Sequence, residues 1–294
     1  MDRIRWSRPA LGTLAFAALA AACSKEGRVP ESGTAAAAAA NVAVVPRGTS
    51  DSLPAALLGT APPPRGETVA YDEGDPAAAG YLVVPDGEGP HPAVILIHEW
   101  NGLNDRVRQV ADALADEGYV ALAADLYSGR TGSTQEENRA LVTEVRGRPE
   151  HVISNLDAAQ RFLRSREDVA GKVATMGWCF GGGVALSYAL GGERHEGTAI
   201  FYGSLVADPD SLAALDHEVY GTFAEQDRSI PPEQVAGFVE ALRQAGVAND
   251  VHVYDDVGHG FWLWVDQDPE ARREPALDAW RRLKAYLGRT IGDG

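Results

Sequence analysis

Beyond residue 67 the chain alternates two apolar rhythms: short β-branched or continuous apolar runs, and longer segments whose apolar positions return every three to four residues. Residues 68–71 and 81–84 predict an opening hairpin-like pair of strands. Residues 93–97 are apolar throughout and predict a strand covered on both faces. A helix over about 104–117 follows, with Val107, Val110, Ala111 and Leu114 on one face and Gly118 placed to end it. The alternation continues with a strand at 119–124, helices at 134–146 and 150–165, a strand at 173–176 and a helix at 181–190. Strands at 198–202 and 219–224, a helix at 232–245, a strand at 251–254 and a last helix at 274–287 complete it. Repeated strand–helix–strand units need right-handed crossovers, so the expected fold class is α/β with a mainly parallel central sheet. Ligands of such sheets gather at the carboxyl ends of the strands, so the residues after each apolar run are the candidates for chemistry.

The first 66 residues lack this rhythm. Arg3, Arg5 and Arg8 precede an apolar stretch at 10–22 that is too short to span a bilayer as a mature helix, the layout of a secretory signal. Leu19-Ala20-Ala21-Ala22-Cys23 resembles a bacterial lipobox, in which Cys23 is lipidated and becomes the new N-terminus. The expectation is a signal peptide over 1–22 and an exported lipoprotein held on a cell-envelope membrane; an ordinary signal peptide with Cys23 incidental is the alternative. Residues 23–66 hold an alanine run at 35–40, scattered Ser, Thr and Gly, and Pro62-Pro63-Pro64, with no apolar face for docking. They predict a flexible tether, and the folded domain is expected over 67–294.

Charge and composition narrow the partners. Lys and Arg number 26 against 42 Asp and Glu, a net −16, which offers nucleic acid no electrostatic footprint. Two cysteines, Cys23 and Cys179, make no disulfide framework, and Cys179 lacks the resolving cysteine that a redox pair needs. The residue four after His98 is Gly102, so His98-Glu99 does not begin a His-Glu-x-x-His metal motif. With no phosphate loop or dinucleotide fingerprint either, the chemistry is expected to need no metal or cofactor.

The most specific motif is Gly177-Trp178-Cys179-Phe180-Gly181, directly after one predicted strand and directly before a helix. It is a nucleophile elbow with Cys in place of Ser. A sulfur at a helix N-terminus meets unpaired amides and the positive end of the helix dipole, which favour a thiolate. A nucleophile needs a base and the base an orienting acid, and both follow later strands in that order. Asp227 lies in the turn after 219–224 and His259 in the loop after 251–254, while Glu225, Asp255 and Asp256 compete with Asp227 for the acid's role.

These motifs, across residues 67–290, resemble the dienelactone hydrolase family of α/β-hydrolases, whose central sheet is flanked by helices on both faces. The resemblance lies in the Gly-x-Cys-x-Gly-Gly elbow at 177–182, the later Asp and His, and His98-Glu99-Trp100-Asn101-Gly102 after the first buried strand. It implies an ester or lactone hydrolase acting through a Cys179–Asp227–His259 set and a thioester. It also implies that Glu99 contacts the resting thiol and that the Trp100 and Phe180 amides hold an oxyanion. Family members that act on dienelactone hold its carboxylate with arginines, one of them four residues after the histidine; Leu263 stands there, within Phe261-Trp262-Leu263-Trp264. That apolar loop predicts a neutral or aromatic ester or lactone as the small-molecule substrate, in a pocket formed by Trp178, Trp262, Arg106 and Arg139. A non-catalytic binding lipoprotein on the same scaffold is the alternative function.

Overall fold

The computed structural model describes residues 52–292, so the expected signal peptide and Cys23 lie outside the described residues. Strands β1 (Glu67–Ala70) and β2 (Ala79–Val83) pair antiparallel with Thr68 opposite Tyr81, and β2 runs antiparallel to β4 (Val120–Ala124). From β4 onward β3 (His91–Ile97), β5 (Val169–Trp178), β6 (Gly197–Phe201), β7 (Val219–Ala224) and β8 (Asn249–Tyr254) pair in parallel. The eight strands lie in the order β1-β2-β4-β3-β5-β6-β7-β8, the mixed but mainly parallel sheet that the alternation predicts.

The pleat divides the core between two faces. Val94 and Leu96 of β3 pack with α1 (Asp105–Asp116) and α7 (Pro269–Thr290), whereas Ala93, Ile95 and Ile97 pack with α2 (Gln135–Arg146), α3 (Pro149–Arg164) and α4 (Phe180–Gly191). Helix α6 (Pro232–Ala245) extends the second layer over β6 and β7. The last helix begins five residues earlier than its apolar period predicts, because Asp268 accepts from the Ala271 amide and Pro269 occupies the first turn. A short helix, α5 (Pro209–Leu212), has no counterpart in the sequence reading.

The expected tether needs correction. Ala56 and Leu57 are buried and Leu53 nearly so, all within the α1/α7 layer. Arg106 donates to the Ala56 and Leu57 carbonyls at 2.6 and 3.2 Å, Gln109 to Pro62 O at 2.9 Å, and the Arg65 amide to Asp112 at 3.1 Å. Residues 53–65 are thus a strap belonging to the folded unit. Leu53, Ala56 and Leu57 repeat at a helical spacing for only one turn, too short a pattern to stand out in the sequence, and the hydrogen bonds from α1 complete the docking. Among the described residues no helix is long and apolar enough to cross a membrane.

Candidate active site

The carboxyl ends of β3, β5, β7 and β8 bring the chemistry together. At the end of β5, Cys179 adopts φ 54° and ψ −114°, and Phe180 begins α4. The turn is possible because strand and helix touch: a Cβ on Gly177 would lie 2.3 Å from Gly181 O, and one on Gly181 would lie 2.2 Å from Ile97 O. The Cys179 amide donates to Phe201 O at 3.0 Å, which fixes the elbow to β6 and leaves a half-buried free thiol. As the first residue of α4, Phe180 has no carbonyl within the helix to receive its N–H.

Asp227 is buried in the turn after β7, where Oδ1 accepts from the Ser229 and Ile230 amides at 2.8 and 3.2 Å. Its Oδ2 meets Nδ1 of His259 at 2.6 Å. Burial pushes the Asp227 carboxyl up, but the bond and charge of His259 and the two amides outweigh it and hold it below the usual carboxylate range. Burial likewise opposes the His259 cation, yet hydrogen bonds to Asp227 and to Cys179 prevail and push the imidazole up to about 10. Tyr202 sets its ring edge-on to His259 at 4.9 Å. The competitors are elsewhere: Glu225 accepts from the Asp256 amide at 3.2 Å, and Asp255 is exposed. Of the glycines flanking His259, only Gly260 adopts a conformation that calls for glycine. Gly260 has φ +78°, while a Cβ on Gly258 would meet nothing nearer than 4.0 Å.

Glu99, in the loop after β3, is also buried, and its Oε2 accepts from the Trp264 indole N–H at 2.8 Å. The expected contact with the thiol is replaced by this one. Burial raises its pKa, and the Trp264 bond and the charges of His259 and Arg106 offset part of that.

Cys179, His259, Phe180 and Trp100 open into one cavity of about 440 Å³. One wall is a single face of α2, formed by Arg139, Val142, Thr143 and Arg146, spaced at the helical repeat. Tyr202, Ser204, Ser229 and Ile230 line it from the other strands' loops. Arg139 is therefore where the sequence reading put it. The other three expected pocket residues are not. Trp178 and Trp262 are buried and stacked on each other with centroids 5.9 Å apart, part of the layer beneath the sheet's other face. Arg106 pairs with Asp266 at 2.8 Å, donates to Leu263 O and lies over the Trp264 ring at 4.6 Å, so its work is structural. Leu263 is fully buried in the same layer and marks no substrate clamp. Arg146 was missed, although its place seven residues after Arg139 on one helix was the signal for it.

Among the described residues no three His, Cys, Asp or Glu side chains gather as a metal centre. The model for the dienelactone hydrolase family matches residues 78–291. The chain belongs to that family. Two curated relatives provisionally named carboxymethylenebutenolidase agree. The protein from Methylorubrum extorquens is 33% identical over 228 residues, covering 72% of this chain and 77% of its own. The one from Yersinia pestis is 30% identical over 231 residues, covering 74% and 85%. The crystal structure of a provisionally named dienelactone hydrolase from Klebsiella pneumoniae superposes with a TM-score of 0.67 at 24% identity, over 76% of this chain and 98% of that one, and shares its fold. This dienelactone hydrolase relative is accordingly a lactone or ester hydrolase on an α/β-hydrolase fold, which sets aside the binding-only alternative.

Proposed function

We propose that the chain hydrolyses a lactone or ester through a Cys179 thioester, with His259 as base and acid and Asp227 as its orienting group. The observation that carries this reading is the His259 imidazole, bonded to Asp227 at 2.6 Å and facing the same cavity as Cys179 at the elbow. His259, whose raised pKa favours holding the proton it shares with the sulfur, takes that proton from the thiol, and Sγ attacks the carbonyl carbon, forming the C–S bond as the carbonyl electron pair moves to oxygen. The Trp100 and Phe180 amides receive that oxyanion. Collapse breaks the C–O bond, and the alkoxide takes the proton from His259; in a lactone it stays tethered to the acyl group. His259 then removes a proton from water as hydroxide adds to the thioester carbonyl; collapse of that oxyanion breaks the C–S bond, and the leaving sulfur takes the proton back from His259.

The substrate class follows from the α2 wall. Among the described residues, Glu144 is engaged by Arg130 and Arg148, and neither Arg139 nor Arg146 has a carboxylate partner. Two unpaired guanidiniums on the cavity of a strongly acidic protein suit a substrate that carries its own carboxylate. The relatives' names point the same way. This reading replaces the neutral substrate that the 261–264 loop suggests, because that loop's Phe261, Trp262 and Leu263 are buried away from the cavity.

Stoichiometric alkylation of Cys179 should abolish p-nitrophenyl ester turnover, and Cys179→Ala should lower kcat by several orders of magnitude. An active Cys179→Ala enzyme refutes the scheme. The Arg3, Arg5, Arg8 and 10–22 pattern further supports export with Cys23 lipidated. Membrane fractionation tests it: Cys23→Ala should release the protein, and a wild type recovered without a modified N-terminus refutes it.

A further inference from the structure

His98, at the carboxyl end of β3, is fully buried, titratable and unused by the steps above. Its Nδ1 lies 2.7 Å from the carbonyl oxygen of Glu99, and its Nε2 accepts from the Leu126 amide, which follows β4, at 3.3 Å. A carbonyl on one side and an N–H on the other are matched by the neutral tautomer with the proton on Nδ1. Burial keeps the ring neutral by lowering its pKa, so both bonds hold together. The same Glu99 carbonyl also accepts from the Gly102 amide at 3.2 Å.

The consequence lies in the geometry of a single peptide. In a trans peptide the C=O and the following N–H point to opposite sides. Holding Glu99 C=O toward His98 and Gly102 therefore turns the Trp100 N–H the other way, and Trp100 borders the cavity that holds Cys179. The next peptide is held as well, because the Tyr127 hydroxyl donates to Trp100 O at 3.1 Å. The His98 ring meets Tyr127 edge-on at 4.5 Å and stacks with Phe180 at 6.2 Å, so it touches the side chain of the residue whose amide is the second oxyanion donor.

We propose that His98 is a positioning residue for the oxyanion hole: its Nδ1–H clamps the Glu99 carbonyl and thereby aims the Trp100 amide at the reacting oxygen. This inference rests on the thioester reading above, and its test separates the two. Asparagine carries an amide N–H near the place of the imidazole Nδ1, whereas glutamine reaches only the place of Nε2. His98→Gln should lower kcat for p-nitrophenyl acetate by about 10- to 100-fold with little change in KM, less than the loss of a whole oxyanion donor. His98→Asn should restore most of that loss, since it keeps the donor to Glu99 O. Alkylation of Cys179 by iodoacetamide displaces iodide at a saturated carbon and develops no oxyanion, so its rate should be the same in both variants as in wild type.

Equal kcat in the Asn and Gln variants overturns the proposal, as does a fall in alkylation that parallels the fall in turnover. Should His98→Gln fail to fold, His98→Asn decides alone: kcat should stay within about threefold of wild type, and a loss of about tenfold or more at an unchanged alkylation rate overturns the clamp. The thioester reading fails by a different result, an active Cys179→Ala enzyme.

Discussion

Replacing Asp227 with asparagine removes one charge, keeps the volume, and so isolates what the carboxylate does for His259. Asp227 Oδ1 accepts two backbone amides while Oδ2 faces Nδ1 of His259. An asparagine that keeps its oxygen on those amides must turn its NH2 toward the imidazole. Nδ1 then has to accept, the ring proton moves to Nε2, and the nitrogen beside the thiol can no longer take its proton. A hydrogen bond to a charged group contributes about 1.5–3 kcal/mol, which at about 1.4 kcal/mol per decade is roughly 10- to 100-fold in rate. Adding the wrong tautomer carries the expected loss of acylation rate to about 10³- to 10⁴-fold. Stopped-flow release of p-nitrophenol in the first turnover reads this step, and Glu225→Gln serves as the control that should leave it unchanged. An Asp227→Asn enzyme that acylates within threefold of wild type would refute the reasoning. Stability gives a second readout. Because His259 is raised from 6.5 to about 10, the stabilisation it draws from the pair is full below about pH 6.5 and fades as pH rises toward 10. Because Asp227 is lowered from 3.8, its share is full above about pH 4 and fades below. The gap in unfolding free energy between wild type and Asp227→Asn should therefore be widest between about pH 4 and 6.5, at about 1–2 kcal/mol once solvent screening of the one-third-exposed imidazole is counted.

Arg139→Ala and Arg146→Ala should each lower kcat/KM for an anionic ester such as p-nitrophenyl hemisuccinate by about three- to tenfold while sparing p-nitrophenyl acetate, and added salt should narrow the difference. Equal losses on both esters would deny the α2 wall a role in charge recognition. Leu57→Ala, at a fully buried strap position, should cost about 2–4 kcal/mol by calorimetry. A change below about 0.5 kcal/mol would return the strap to the status of a tether.

Cys179, Asp227 and His259 could be read along the chain because each follows an apolar run, and a parallel sheet gathers the ends of its strands at one edge. Glycine at 177 and 181 added a contact requirement that few other local structures impose. The pocket wall could not be read this way. Trp178 sits beside Cys179 in sequence, yet it belongs to the strand's final step and turns into the layer shared with Trp262 and Trp280. Proximity along a strand says nothing about which face a side chain takes when both faces are buried. Arg106 and Arg139, both helical arginines, are expected alike at the pocket. Their different fates depend on the strap reaching α1 and on α2 lying beside the elbow, long-range events with no local signature.

The strap also makes the buried Glu99 carboxylate answerable to residues 53–65. Ala56 and Leu57 carbonyls hold Arg106, Arg106 lies over Trp264, and the Trp264 indole holds Glu99. Cutting the protein at the first strand would spare all eight strands and every residue of the elbow. It would also take two acceptors from Arg106 and leave Trp264 with a loosened partner two contacts away from the thiol's neighbourhood. How the domain is joined to what precedes it is thus part of how its active site is held, and a start site chosen by strand boundaries would remove a piece of the core and slacken the Glu99 carboxylate with it.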